Sequence, residues 1–196
     1  MNKKQKLVNI MWKDIVLNKP FIIGLEKLSL KTVKSLIKEG ANINLQNENG
    51  ETALMRAIMY NRLDIVKLLT EKGADLNVQD NLGETALFYA INNGKIDFLN
   101  ELIIEEINLD IQNNNGDTAL INSIWQTKEE ITKVLVNAGA NILIKNNNGN
   151  SALDYTSILN KRSLTKYLKE KLKEHDKNIK IKTIKNVIED VLHEQI

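Results

Sequence analysis

The sequence predicts an all-α solenoid of helix-turn-helix units joined by hairpin-like turns. Three observations carry this. Gly50, Gly83, Gly116 and Gly149 lie 33 residues apart. Two residues after each stands one triplet: Thr52-Ala53-Leu54, Thr85-Ala86-Leu87, Thr118-Ala119-Leu120 and Ser151-Ala152-Leu153. Gly40-Ala41, Gly73-Ala74 and Gly139-Ala140 keep the same phase, with one copy skipped. A unit this short cannot bury its apolar face alone, so copies must stack.

Taken in order, residues 1–16 are expected to form an N-terminal capping helix, with Leu7, Ile10, Met11, Trp12 and Ile15 at helical spacing. Residues 17–49 read as a divergent first repeat. Lys19-Pro20-Phe21 stands 33 residues before Thr52-Ala53-Leu54. Pro20 suits the first turn of a helix, where its missing N–H is not needed. Ser29 reads as the N-cap of a second helix that contains Val33, Leu36 and Ile37.

Residues 50–82 show the unit most clearly. Asn49-Gly50 is a tight-turn signal, because both residues tolerate positive φ. Thr52 is an N-cap, and Leu54, Ala57 and Ile58 follow at i, i+3 and i+4. A break at Asn61 to Asp64 begins a second helix with Ile65, Leu68 and Leu69 inside. Gly73 suits the left-handed position that ends it. The remaining copies are 83–115, 116–148 and a truncated 149–172. In 83–115 the Gly-Ala pair is replaced by Glu106-Ile107, and a core leucine by Glu101, so the weakest seam is expected there. Residues 173–196 are expected to form a basic amphipathic capping helix, with Ile181, Ile184, Ile188 and Val191 on one side.

The period of 33, the G-x-T-x-L order and the Gly-Ala followed by Asn or Asp resemble the ankyrin repeat over residues 17–172. The family usually has T-P-L-H in this place. Here Ala53, Ala86, Ala119 and Ala152 replace the proline, and Met55, Phe88, Ile121 and Asp154 replace the histidine. The hydrogen bonding of that histidine is therefore expected to be missing. Alanine is a good helix former, so the fold should survive.

Composition argues against catalysis. There are no cysteines, and the only histidines, His175 and His193, fall in the charged tail. Seven of the nine glycines belong to the repeat, leaving none for a phosphate cradle. No cofactor and no metal are expected. The Asn113-Asn114-Asn115 and Asn146-Asn147-Asn148 runs read as turn chemistry in preference to a binding ladder. No run of ~18 uncharged apolar residues occurs, and no cleavable leader is legible, so a cytoplasmic location is expected.

The resemblance implies a partner-binding concave surface made of turn tips and the exposed side of each first helix. Carrying the period along the chain gives three rows: Ile23, Arg56, Tyr89, Asn122 and Tyr155; Glu26, Met59, Asn92, Trp125 and Ile158; Lys27, Tyr60, Asn93, Gln126 and Leu159. From these the expected contact set is Arg56, Met59, Tyr60, Tyr89, Asn92, Asn93, Asn122, Trp125, Gln126 and Tyr155. Tyr, Trp and Arg are the types enriched in binding hot spots. The same rings have a competing structural reading, as packing over the neighbouring repeat. The turn tips Glu48, Glu51, Glu84, Asp117 and Asn150 form a mildly acidic rim.

The expected partner is another protein, bound by a monomer. The tail offers an alternative. Residues 161–185 hold ten basic and three acidic residues. Such a helix can dock on nucleic acid or an acidic membrane. With Tyr167 as its one ring it lacks the aromatic interleaving of a single-strand binder, so nucleic acid is not the expected partner.

Overall fold

The structure, a computed structural model, describes residues 18–104 and 107–193, with backbone alone for 178–193. The helix expected at 1–16, and Glu106 of the irregular copy, lie outside the described residues. The units are helix pairs: α1 (Lys19–Ile23) with α2 (Leu30–Lys38), α3 (Ala53–Met59) with α4 (Leu63–Glu71), α5 (Ala86–Asn93) with α6 (Ile96–Ile104), α7 (Ala119–Trp125) with α8 (Glu129–Asn137), and α9 (Ala152–Ile158) with α10 (Arg162–His193). The first helices α1, α3, α5, α7 and α9 stack in one layer and the second helices in another. No strand occurs among the described residues. Isolated antiparallel bridges, Gln46 to Thr52, Gln112 to Thr118 and Lys145 to Ser151, give the turns their hairpin character.

The triplet works as expected. Thr52, Thr118 and Ser151 each accept a hydrogen bond from the amide three residues on. Thr85 occupies the same place in extended backbone but makes no such bond. Ser29 caps α2 by accepting from the Thr32 amide at 3.1 Å. The alanines that follow the caps are buried, as are Leu54, Leu87 and Leu120. A small residue there lets adjacent first helices approach closely.

Two substitutions for the family histidine behave differently from expectation. Asp154 accepts from the Ser151 amide at 2.8 Å and from its hydroxyl at 2.7 Å, which restores a capping box. Met55 offers its sulfur to the Thr52 amide at 3.3 Å. Phe88 and Ile121 instead join the apolar core. Toward the C-terminal end the core also changes character. Ser123 and Thr156 stand where Ala57 and Ala90 stand earlier, and both are fully buried. Their hydroxyls pair with Thr132 at 2.8 Å and Thr165 at 3.0 Å, so no polar group there is left unsatisfied.

Between the paired helices the chain needs one left-handed residue. Asn61, Gly94, Thr127 and Asn160 take it in turn. For the β-branched Thr127 this is strained by about 1 kcal/mol. Basic side chains just past this turn reach back to the preceding repeat. Arg62 donates to the carbonyls of Leu25 at 3.2 Å and Leu28 at 2.8 Å. Lys128 donates to those of Ile91 and Asn92. These are helix-end carbonyls without intrahelical partners, where a cation is favoured.

The expected boundary at 172/173 is not present. One helix, α10, runs from Arg162 to His193. The reason lies in the period: Leu172 falls where Gly40, Gly73 and Gly139 end the second helices of other units. No glycine or proline occurs from 162 to 193, so nothing stops the helix.

In the irregular copy, Glu101 turns its carboxylate to the Thr70 hydroxyl at 3.0 Å. Its counterpart Leu68 is buried apolar surface. Helices α6 and α8 approach each other less than the neighbouring pairs of the second layer. Amide exchange should therefore be faster in α6 than in α4 and α8. Equal or slower exchange in α6 would show the seam to be as tight as the others.

The glycine turns provide an internal control. Gly116 has φ +74°, and a Cβ there would stand 2.6 Å from the Asn147 amide nitrogen of the next turn. Gly149 has φ +77° with nothing within 4 Å, since no turn stacks beyond it. Gly149→Ala should cost about 1 kcal/mol, from backbone strain alone. Gly116→Ala should cost about 1–3 kcal/mol more, because the next turn must shift. Denaturant unfolding of both variants checks the difference.

Candidate functional site

The face made of turns and first helices is held from below by hydrogen bonds. Asn47, Asp80, Asn113 and Asn146 occupy one period position. Each turns its Oδ1 onto two backbone amides, two and four residues on, at 2.8–3.1 Å. Neighbouring turns are then joined. The amides of Asn81, Asn114 and Asn147 donate to carbonyls of the preceding turn at 3.0–3.1 Å. Their side-chain amides do the same at 2.9–3.0 Å. Gln46, Gln79 and Gln112 bond forward, each to the carbonyl 33 residues on. The asparagine runs are thus turn and inter-turn chemistry.

On this frame the ten expected contact residues separate into groups. Arg56 is committed to its neighbours. It pairs with Glu51 at 2.9 Å, donates to the Tyr60 hydroxyl at 2.7 Å, and has only 13% of its side chain exposed. Its guanidinium carbon lies 5.1 Å from the Tyr60 ring centroid. Tyr89 is half-buried and donates to Asp80 at 2.9 Å. Burial, and then the bond to Asp80, push its phenol far above the ordinary range, so it stays a donor. Tyr155 accepts from the Asn146 amide at 2.9 Å. Asn93 donates to the Ile58 carbonyl at 2.9 Å, a bond to the previous repeat. Gln126 links Asn92 and Asn122.

Met59 and Trp125 are the large apolar members of the set left open, at 42% and 62% exposure. Trp125 is steadied by an edge-on contact with Tyr155, ring centroids 5.9 Å apart. Ile158, on the same row but outside the expected set, is 60% exposed. Met59, Asn92, Trp125 and Ile158 therefore form one open column. Leu82, at a turn tip, is also exposed and was passed over by the sequence reading. The signal for it was available: an apolar residue where the other turns carry Asn49, Asn115 and Asn148.

The column is set in an acidic surround. Segments 46–60, 79–93 and 112–126 carry Glu48, Glu51, Asp80, Glu84 and Asp117 against the single base Arg56. Glu84 is half-buried. Desolvation first, and the Asp80 carboxylate second, raise its carboxyl above the ordinary range.

A second charged surface lies at the far end. Arg162, Lys166, Lys169 and Lys173 of α10 line a groove with Thr156 and Asn160. Among the described residues no group of acids and histidines is placed to hold a metal, and no helix is long and apolar enough to cross a membrane.

Glu84 generates a pH prediction. Its folded-state carboxyl binds a proton more tightly than the unfolded one. Stability from this group is therefore present at low pH and falls as pH rises through the window above the ordinary carboxylate range. Glu84→Gln should melt higher than the parent at about pH 7, with the gain vanishing below about pH 4. Melting curves across this range check it, and a pH-independent difference would contradict it.

The chain matches the family described as ankyrin repeats (three copies) over residues 23–112 and 90–181. It matches none of the curated proteins. The matched span covers all five helix pairs in part or whole, and the stacked pairs, the cross-bonded turns and the 33-residue period are one architecture. The chain belongs to the ankyrin-repeat family.

Proposed function

Ankyrin repeats are generally protein–protein interaction modules and typically not enzymes. We propose that this chain binds another protein through its concave face, along the Met59–Asn92–Trp125–Ile158 column, without catalysing a reaction. The observation that carries this is Trp125. A tryptophan 62% exposed in the middle of a hydrogen-bonded frame contributes little to folding, and it is the side chain most suited to anchor a partner. The frame is ordered in advance, so little conformational entropy is lost on binding. Arg56, Tyr60, Tyr89 and Tyr155 support the face in this reading, and a partner touches them only where their edges remain open.

A second reading has its own observation, the basic groove of α10 beside α9. Docking there to nucleic acid or an acidic membrane is electrostatic and falls steeply with salt.

The test is capture of the partner by the intact chain and by Trp125→Ala/Met59→Ala, at low and at high salt. Both substitutions are at exposed positions and should change stability by less than about 0.5 kcal/mol each. Affinity for a groove-bound partner should drop about thirtyfold, the effect of a 2 kcal/mol hot spot. Capture indifferent to the double variant and lost at high salt moves the function to α10.

A further inference from the structure

We propose that the segment seated on the open column belongs to a separate protein and is basic: its Lys or Arg side chains meet Glu84 and Asp117, while its apolar side chains cover Trp125 and Ile158. This rests on the concave-face reading and names the chemistry of its occupant.

The first argument is charge complementarity. The turn and first-helix segments of three successive repeats hold five carboxylates and one cation. That cation, Arg56, is already paired with Glu51, and both side chains are mostly shielded. Among the described residues no other cation forms an ion pair on this face. Glu84 and Asp117 thus present negative charge that the fold does not neutralise. A face of this kind repels nucleic acid and acidic lipid and draws a basic peptide.

The second argument is geometry. Asp117, Ile121, Trp125, Asn147 and Tyr155 line one concavity. The Asp117 carboxylate takes a bond from the Asn146 side chain at 2.7 Å through Oδ1, which fixes its direction. A guanidinium or ammonium entering here meets a carboxylate on one side and an indole on another, the two groups that bind such cations best. Along the same column Met59 and Ile158 offer apolar surface to either side.

A third observation agrees. Burial and Asp80 already make the charge on Glu84 unfavourable. A partner cation placed beside it relieves that penalty, which no cation of the described chain does.

The experiment is selection of random twelve-residue peptides displayed on phage. The targets are the intact chain, Glu84→Gln/Asp117→Asn and Trp125→Ala/Met59→Ala. Circular dichroism and sedimentation confirm that each is folded and monomeric. Peptides selected on the parent should be enriched at least threefold in Lys and Arg over the starting pool. They should bind the Glu84→Gln/Asp117→Asn variant at least tenfold more weakly. Neutral or acidic peptides that depend on Trp125 but not on Glu84 or Asp117 overturn this inference and leave the concave reading standing. Peptides indifferent to Trp125→Ala/Met59→Ala, or no enrichment at all, overturn both. Self-association of the parent that is lost on charge reversal of Lys166 and Lys169 makes the occupant a second copy and also overturns the inference.

Discussion

Each turn of this molecule is hydrogen-bonded to the next, and the other features of the array follow from that ladder. A turn tip alone exposes amides and carbonyls that water would compete for. Here Asn47, Asp80, Asn113 and Asn146 close each turn on itself, and Asn81, Asn114 and Asn147 tie it to its predecessor. The ladder sets the close approach at Gly50, Gly83 and Gly116, where a Cβ would stand within 3 Å of the following turn. It also fixes the spacing of the first helices, and with it the row of side chains that faces outward. A rigid rim and a regular row have a single cause.

The apolar core obeys the same register but tolerates substitution. Buried Ala57 and Ala90 give way to Ser123 and Thr156 without loss, because each new hydroxyl finds a partner hydroxyl in the paired second helix. Where a partner is missing from the register the array loosens. Glu101 replaces a buried leucine and bonds sideways to Thr70, and the second-helix layer is thinnest there. A change at one period position thus acts on one seam and leaves the rest intact, as nearest-neighbour stacking requires.

The outward face shows a stability conflict of the kind that functional surfaces carry. Glu84 is half-buried beside Asp80, although a neutral residue would suit folding better. Thr127, two residues from Trp125, holds a left-handed conformation that Asn61, Gly94 and Asn160 adopt more easily. Neither feature has a structural benefit within the chain. The charge on Glu84 makes sense for a surface that meets a cation, whereas nothing in the structure explains the choice of threonine at 127.

The sequence by itself determined the period, the repeat boundaries from 17 to 148, the caps at Ser29, Thr52, Thr118 and Ser151, and the row on which Trp125 stands. These are local or periodic properties, so chain position alone specifies them. The extent of α10 was legible too, in Leu172 at a glycine position, but its meaning depends on knowing what that glycine does. Only the tertiary structure decided which members of the row remain open. Arg56, Tyr60, Tyr89 and Tyr155 carry the chemistry of hot spots in the sequence, yet each finds a partner in its own or a neighbouring repeat. Whether a side chain is satisfied from within depends on contacts across 5 to 38 residues of chain, and residue type does not encode those distances.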